Sequence, residues 1–171
     1  MTSTTGKALG LRTALLYLVP VAVVVFVLDQ LSKVWAEKSL EVGEAAKPFI
    51  GAIIQFRLIY NPGAALSMAS GMTWILTAIS LAVVVFIVAM ANRFVSKGWV
   101  LTLGLLLGGA LGNLYDRLFR DPGFPQGHVV DFIDYGPFVG NVADIAIVAA
   151  AILIGILTLR GVPAFEESER A

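Results

Sequence analysis

Four long apolar runs, at residues 13–33, 72–91, 98–117 and 138–160, restrict this chain more than any other feature. Wound as a helix rising about 1.5 Å per residue, a run of this kind is long enough to cross the roughly 30 Å hydrocarbon core of a bilayer. Backbone N–H and C=O groups find no water there, so a helix must satisfy them internally. The expected fold is therefore an all-α integral membrane protein with four transmembrane helices in a single membrane domain, residues 1–171. Composition agrees: 58% of the residues are hydrophobic and 14% charged, where a soluble domain has about a quarter charged. Lys7 and Arg12 ahead of the first run could belong to a cleaved leader, but no small-x-small site follows and further spans do, so the run is expected to stay.

The same composition excludes several function classes. A formal net charge of +0 offers no field for nucleic acid or another polyanion. The absence of cysteine removes disulfides, thiolate metal sites and cysteine nucleophiles together. The single histidine, His128, could seed a metal site with Asp131, but a lone histidine among scattered acids is weak ground, and no metal or other cofactor is expected.

Between the runs the pattern changes. Within 40–71, the segment Ile54–Tyr60 partly alternates apolar and polar residues, the period of a half-buried strand, and Asn61-Pro62-Gly63 ends it as a turn. A small extracytoplasmic β-sheet after the first helix is expected here. Residues 118–137, with Pro122, Gly123, Pro125 and Gly127, read as a loop. In the third run Gly104, Gly108 and Gly112 recur every four residues, so they share a face and admit a close neighbour. Asn113, Asp116 and Arg117 continue that helix at i, i+3, i+4, again on one face.

Alternating the spans across the membrane sends every intruding polar residue to the same side. Asp29 and Lys33 end the first span there, Asn61 lies in the following loop, Asn113, Asp116 and Arg117 end the third, and Asn141 and Asp144 begin the fourth. Lysine and arginine divide evenly between the two sides. The short acid-free connection carrying Arg93 and Lys97 marks the other side as cytoplasmic. Cytoplasmic termini and an extracytoplasmic polar cluster are expected.

Asp144 runs into a long apolar segment, where hydrocarbon does not solvate its charge, and Asp131 lies a short connection upstream. Two carboxylates brought together share a proton, so one can activate water as a base while the other protonates a carbonyl as an acid. The plainer reading makes Asp131 and Asp134 solvated loop acids and Asp144 a partner of the fourth helix's positively polarised start. Pattern alone does not rank Asp131 above Asp134. Asp29 and Lys33 at i, i+4 are either part of the site or an ion pair snorkelling at a helix end. Arg117 needs an anionic or carbonyl partner, from Asp116 next door or from another span. Asn61, Asn113 and Asn141 each offer donors and an acceptor, suited to holding a peptide backbone or orienting a carboxylate. The rival classes are a small proton-coupled membrane transporter using the acids as a relay and a purely structural scaffold. The first wants polar residues deep in the spans, and the second leaves the clustered acids unexplained.

The chain resembles the bacterial lipoprotein signal peptidases, the type II signal peptidases, over nearly its whole length. The resemblance rests on five motifs in order: Asp29-Gln30-x-x-Lys33, Asn61-x-Gly63-Ala64-Ala65, Gly108-Gly109-Ala110-x-Gly112-Asn113-x-x-Asp116-Arg117, Val130-Asp131-Phe132 and Asn141-x-Ala143-Asp144. It implies an aspartic endopeptidase of the bacterial cytoplasmic (inner) membrane. Such an enzyme cuts a diacylglyceryl-modified prolipoprotein just before its lipidated cysteine, works among membrane lipid, and is sensitive to the cyclic peptide globomycin. By the same resemblance the catalytic pair is Asp131 and Asp144, which ranks Asp134 behind Asp131. Asp29, Lys33, Asn61, Gly63, Asn113, Arg117 and Asn141 are implied as substrate-binding or site-supporting residues. Leu66 and Gly140 depart from the family pattern, since aromatic residues are common at both places.

Overall fold

The structure is a computed structural model that describes residues 7–63 and 73–166. Its elements run α1 (Leu11–Ser39), β1 (Lys47–Ile50), β2 (Ile54–Asn61), α2 (Thr73–Met90), α3 (Lys97–Phe119), β3 (Val129–Asp134), β4 (Val139–Gly140) and α4 (Val142–Leu159). All four helices are long and apolar enough to cross a membrane. Ala64, Ala65, Leu66 and the expected start of the second span at Met72 lie outside the described residues.

The helix α1 buries one stripe along its whole length: Ala14, Leu18, Ala22, Val25, Asp29, Lys33 and Ala36. Steps of three and four keep these residues on one face, while Leu16, Val24 and Leu31 point outward as a lipid-facing surface. Asp29 and Lys33 thus occupy two successive positions of an otherwise apolar seam. The helix also outlasts its expected end at Lys33, because Ala36 and Leu40 pack into a second core against Leu58, Val130, Phe132 and Ile133. Trp35 adds ring contacts to Phe56 at 5.1 Å and Phe132 at 6.1 Å. Polarity at Glu37 and Lys38 marks the edge of the lipid, not the end of the helix.

Central in the bundle is α3, which packs against α1, α2 and α4. Its glycines make that possible. A Cβ on Gly108 would sit 2.6 Å from Val25 Cβ and 2.7 Å from Ala22 O, and one on Gly104 would sit 2.9 Å from Val21 Cβ, so both face α1. Gly109 faces α4 instead, where a Cβ would meet Ala143 O at 2.6 Å. Ridges of side chains are absent at these points, and the backbones come together.

The sheet is larger than its expected position after α1 allows. Four antiparallel strands stand in the order β1-β2-β3-β4, so half of it comes from the segment read as a loop and from the start of the fourth apolar run. All six residues of β3 are buried, which erases the alternation that identifies a strand from sequence. The first residues of the fourth run form β4, opposite Ile133 and Asp134, and only then does α4 begin.

At the far end of the bundle both terminal segments meet the α2–α3 connection. Leu9 N–H donates to Phe94 O at 2.9 Å, Val95 N–H donates to Ala164 O at 3.1 Å, and the rings of Phe94 and Phe165 stack at 5.2 Å. One end of the molecule is therefore an apolar clasp. The other holds the sheet and the polar residues.

Candidate active site

Asp131 reaches the site from the middle of β3, which β2 registers by pairing Ile59 with Asp131 and Asn61 with Val129. Asp144 arrives from the first turn of α4. There Asn141 and Asp144 form a reciprocal capping box: Asp144 N–H donates to Asn141 Oδ1 at 3.0 Å, and Asn141 N–H donates to Asp144 Oδ2 at 3.1 Å. The Nδ2 of the same asparagine donates to Asp131 Oδ1 at 2.7 Å. One fully buried residue therefore contacts both carboxylates, that of Asp131 through its side-chain amide and that of Asp144 through its backbone N–H.

A common logic orients the three asparagines. In each, N–H donors occupy the amide oxygen, so the NH2 end turns toward an aspartate. Gly63 N–H holds Asn61 Oδ1 at 2.8 Å, and Asn61 Nδ2 donates to Asp131 Oδ2 at 2.7 Å. Lys33 Nζ and Asn141 Nδ2 hold Asn113 Oδ1, both at 3.1 Å, and Asn113 Nδ2 donates to Asp144 Oδ1 at 2.9 Å. Gly63 has a positive φ of 105°, and a Cβ there would meet Leu76 Cδ1 at 2.6 Å, so the turn that presents Asn61 requires glycine.

Beneath this layer lies a fully buried ion cluster. Lys33 Nζ pairs with Asp29 Oδ2 at 2.8 Å and with Asp116 Oδ2 at 2.7 Å. Asp29 Oδ1 also accepts the N–H of Ala143 at 2.9 Å, tying α1 to the first turn of α4. Asp116 accepts from Val130 N–H at 3.2 Å and Arg120 Nε at 2.9 Å, tying α3 to the strand that carries Asp131. The snorkelling alternative for Asp29 and Lys33 is thereby set aside, since neither reaches solvent. Gln30, Glu37 and Arg120 also belong to the network, and sequence reasoning did not place them in the site; Asp116 it put among the converging polar residues without a role. Its place three residues beyond Asn113 on the same helical face was the signal. Gln30, whose amide donates to Asp29, Gly112 O and Asp116, carries no such signal beyond its motif.

Arg117 does not pair with Asp116, although the two are adjacent in sequence. It is buried, with 7% of its surface exposed, and Nη1 has no hydrogen-bond partner among the described residues. That nitrogen lies on the Gly63 side of the site, 3.9 Å from where a Cβ on Gly63 would be. Asp134 is employed elsewhere: it pairs with Arg57 at 3.1 Å and accepts Gly136 N–H at 2.8 Å. Three residues along a strand from Asp131, it faces the opposite side of the sheet.

Burial raises the carboxyl of Asp131 to about 6, with the charge of Asp144 pushing the same way, while hydrogen bonds from Asn61 and Asn141 and the charge of Lys33 hold it down. An acid poised in that range can both give and take a proton near neutrality. Among the described residues, no group of three His, Cys, Asp or Glu side chains stands in metal-binding array. The arrangement is suited to proton transfer around a bound water.

Comparison with known proteins finds relatives over most of the chain. The family model described as signal peptidase (SPase) II matches residues 21–160. A lipoprotein signal peptidase of Rhodococcus jostii (strain RHA1) is 51% identical over 147 residues, 85% of this chain and 74% of that protein. One from Mycobacterium tuberculosis (strain ATCC 25618 / H37Rv) is 50% identical over 145 residues, 84% of this chain and 71% of that protein. Among solved structures, a bacterial membrane enzyme determined by the in meso method at 2.3 Å superposes with a TM-score of 0.74 at 26% identity, covering 97% of this chain and 98% of the other.

Proposed function

The chain belongs to the signal peptidase II family, aspartic peptidases that remove signal peptides from prolipoproteins, and on that premise we propose that Asp131 and Asp144 are its catalytic pair. The observation that carries this reading is Asn141, whose amide and backbone contact both carboxylates at once. The transporter alternative finds no support in the relatives, which are peptidases.

The pair starts with one proton, held by Asp131. Ionised Asp144 takes a proton from water as its oxygen attacks the carbonyl carbon of the residue before the lipidated cysteine. Asp131 protonates the carbonyl oxygen, giving a neutral tetrahedral diol. Collapse returns a proton to the cysteine nitrogen, the C–N bond breaks, and the products are a peptide carboxyl group and a lipidated cysteine with a free amine. Asn61 and Asn113 hold the two carboxylates in register. The unused Nη1 of Arg117 is placed to donate to a substrate carbonyl beside Gly63. Asp29 and Lys33 hold the first turn of α4 and the Asn113 amide in place.

The site faces the extracytoplasmic side, with both termini cytoplasmic. Supporting this, Arg93 and Lys97 lie in and beside the short α2–α3 connection at the other end, and the positive-inside rule weights short loops next to the spans. A globomycin-type cyclic peptide would occupy the same site as the substrate.

The decisive experiment supplies a diacylglyceryl prolipoprotein to the purified protein and compares wild type with Asp131→Asn and Asp144→Asn. Full cleavage by either folded variant would refute the pair. Equal cleavage of an unlipidated precursor would refute the substrate class. A tag on residue 1 found outside the cell would reverse the orientation.

A further inference from the structure

The β3–β4 hairpin tip, Tyr135 to Phe138, is not part of the proposed catalytic machinery, yet it stands against it. Its shape is built rigidly. Tyr135 N–H donates to Phe138 O at 3.0 Å, Asp134 Oδ1 accepts Gly136 N–H at 2.8 Å, and Gly136 takes a φ of 89° that favours glycine. The rings of Tyr135 and Phe138 stack at 4.8 Å with 30° between their planes. Arg57 anchors the base of the hairpin through Asp134.

Gly140 connects this tip to the site. Its backbone needs no glycine, since it is not among the positive-φ positions. What it lacks is volume. A Cβ there would lie 2.9 Å from Asp144 Oδ2 and 3.6 Å from Phe138 Cε2. The proposed catalytic carboxylate and the Phe138 ring edge already fill the space a side chain would take, so glycine here lets the aromatic tip and Asp144 come close together. Phe138 is 57% exposed although it is a large apolar ring, and it stands beside the half-buried Asp144. Tyr135 is more sheltered, and burial, with a contribution from the charge of Asp144, raises its hydroxyl above its ordinary range.

We propose that this aromatic tip is the specificity wall of the site on the Asp144 side, and that it receives the glyceryl ester region of the substrate's diacylglyceryl group. The proposal rests on the peptidase reading above. The side-chain donor suited to a peptide backbone, Arg117 Nη1, lies on the Gly63 side of the site. The hairpin tip offers two stacked rings and one phenol. Glyceryl esters sit at the hydrocarbon–water boundary, the depth at which aromatic side chains are favoured. Ring faces suit the glycerol and first acyl methylenes, and the Tyr135 hydroxyl suits an ester carbonyl. Phe138 is the principal contact because its ring is the exposed one.

The test uses the full-length protein in detergent and two synthetic peptides of one sequence. One carries an S-diacylglyceryl cysteine, and the other an S-hexadecyl cysteine without glycerol or esters. Wild type is expected to prefer the first through a lower KM. Phe138→Ala is expected to raise KM for the diacylglyceryl peptide about tenfold, leave kcat within about twofold, and abolish the preference. Phe138→Tyr is expected to keep the preference, and the near-unchanged kcat of Phe138→Ala separates a lost contact from a lost fold. The proposal is overturned if Phe138→Ala preserves the ratio of the two KM values, or if both substrates lose equally in kcat. Wild type cleaving neither peptide would sink the peptidase reading itself, a result distinct from a changed ratio.

Discussion

Lys33 Nζ lies 3.1 Å from Asn113 Oδ1, and that contact decides which end of the Asn113 amide faces Asp144. A cation cannot accept a hydrogen bond, so it holds the amide oxygen and leaves the NH2 for the carboxylate. The ammonium is itself held by Asp29 and Asp116, from α1 and α3. A buried salt bridge here is a positioning device for a neighbouring acid.

Replacing Lys33 with methionine should therefore do two things. Asp29 and Asp116 are left as buried carboxylates without their ammonium, a loss of about 3–5 kcal/mol in stability when one partner of a buried pair is removed. The Asn113 amide loses its fixed orientation, so cleavage should fall beyond what the unfolded fraction explains. Thermal unfolding in detergent and the cleavage rate of the folded fraction measure the two separately.

Asp131→Asn and Asp144→Asn should each lower kcat by roughly 10³-fold, the range for losing a positioned acid or base. Each substitution keeps an oxygen acceptor for the Asn141 contact but sets an NH2 against the NH2 of Asn61 or Asn113, so stability should fall modestly, by about 1–3 kcal/mol. A single-turnover assay on lipidated substrate checks the first expectation and a thermal melt the second.

The pH dependence follows from burial of Asp131. With its folded pKa raised to about 6, the folded state binds more protons than the unfolded chain between the ordinary carboxylate range, about 4, and 6. Its contribution makes stability fall as pH rises through that window and level off above it. Asp131→Asn should flatten this part of the curve.

Activity should show the matching limb. A singly protonated pair loses its proton as pH rises past about 6, so kcat/KM should decline on the alkaline side. Asn61 donates to the Asp131 carboxylate and holds its pKa down. Asn61→Ala removes that restraint, and the limb should move to higher pH. A shift to lower pH would show that the hydrogen bond does not favour the ionised form.

Gly108 and Gly155 make a matched pair for helix packing. A Cβ at Gly108 would run into Val25 and the backbone oxygen of Ala22, whereas one at Gly155 meets nothing within 4 Å. Gly108→Ala should destabilise by about 1–3 kcal/mol through overpacking of α1 against α3. Gly155→Ala should be neutral or stabilising by up to about 1 kcal/mol through helix propensity. Thermal melts of the two variants should move apart.

The four helices were legible in the sequence because backbone groups in lipid have no partner but each other, so uninterrupted apolarity is sufficient evidence for a spanning helix. The glycine face of α3 was legible for a similar reason, as a strict four-residue period in one element. Convergence of Asp29, Lys33, Asn61, Asn113, Arg117, Asn141 and Asp144 at one end followed from counting alternations of the chain across the membrane. Asp131 and Asp134 could not be separated by pattern. Tertiary structure gives them opposite faces of β3 and pairs Asp134 with Arg57. The strand itself was hidden, since burial on both faces removes the alternation by which a strand announces itself. Asp116 and Arg117 are neighbours in sequence and look like a pair, yet α3 turns Asp116 to Lys33 and Arg120 and leaves Arg117 toward Gly63. Spans are a property of single segments and their solvent, which a sequence carries within itself. The partner of a charged side chain depends on which segments pack together, and that exists only in three dimensions.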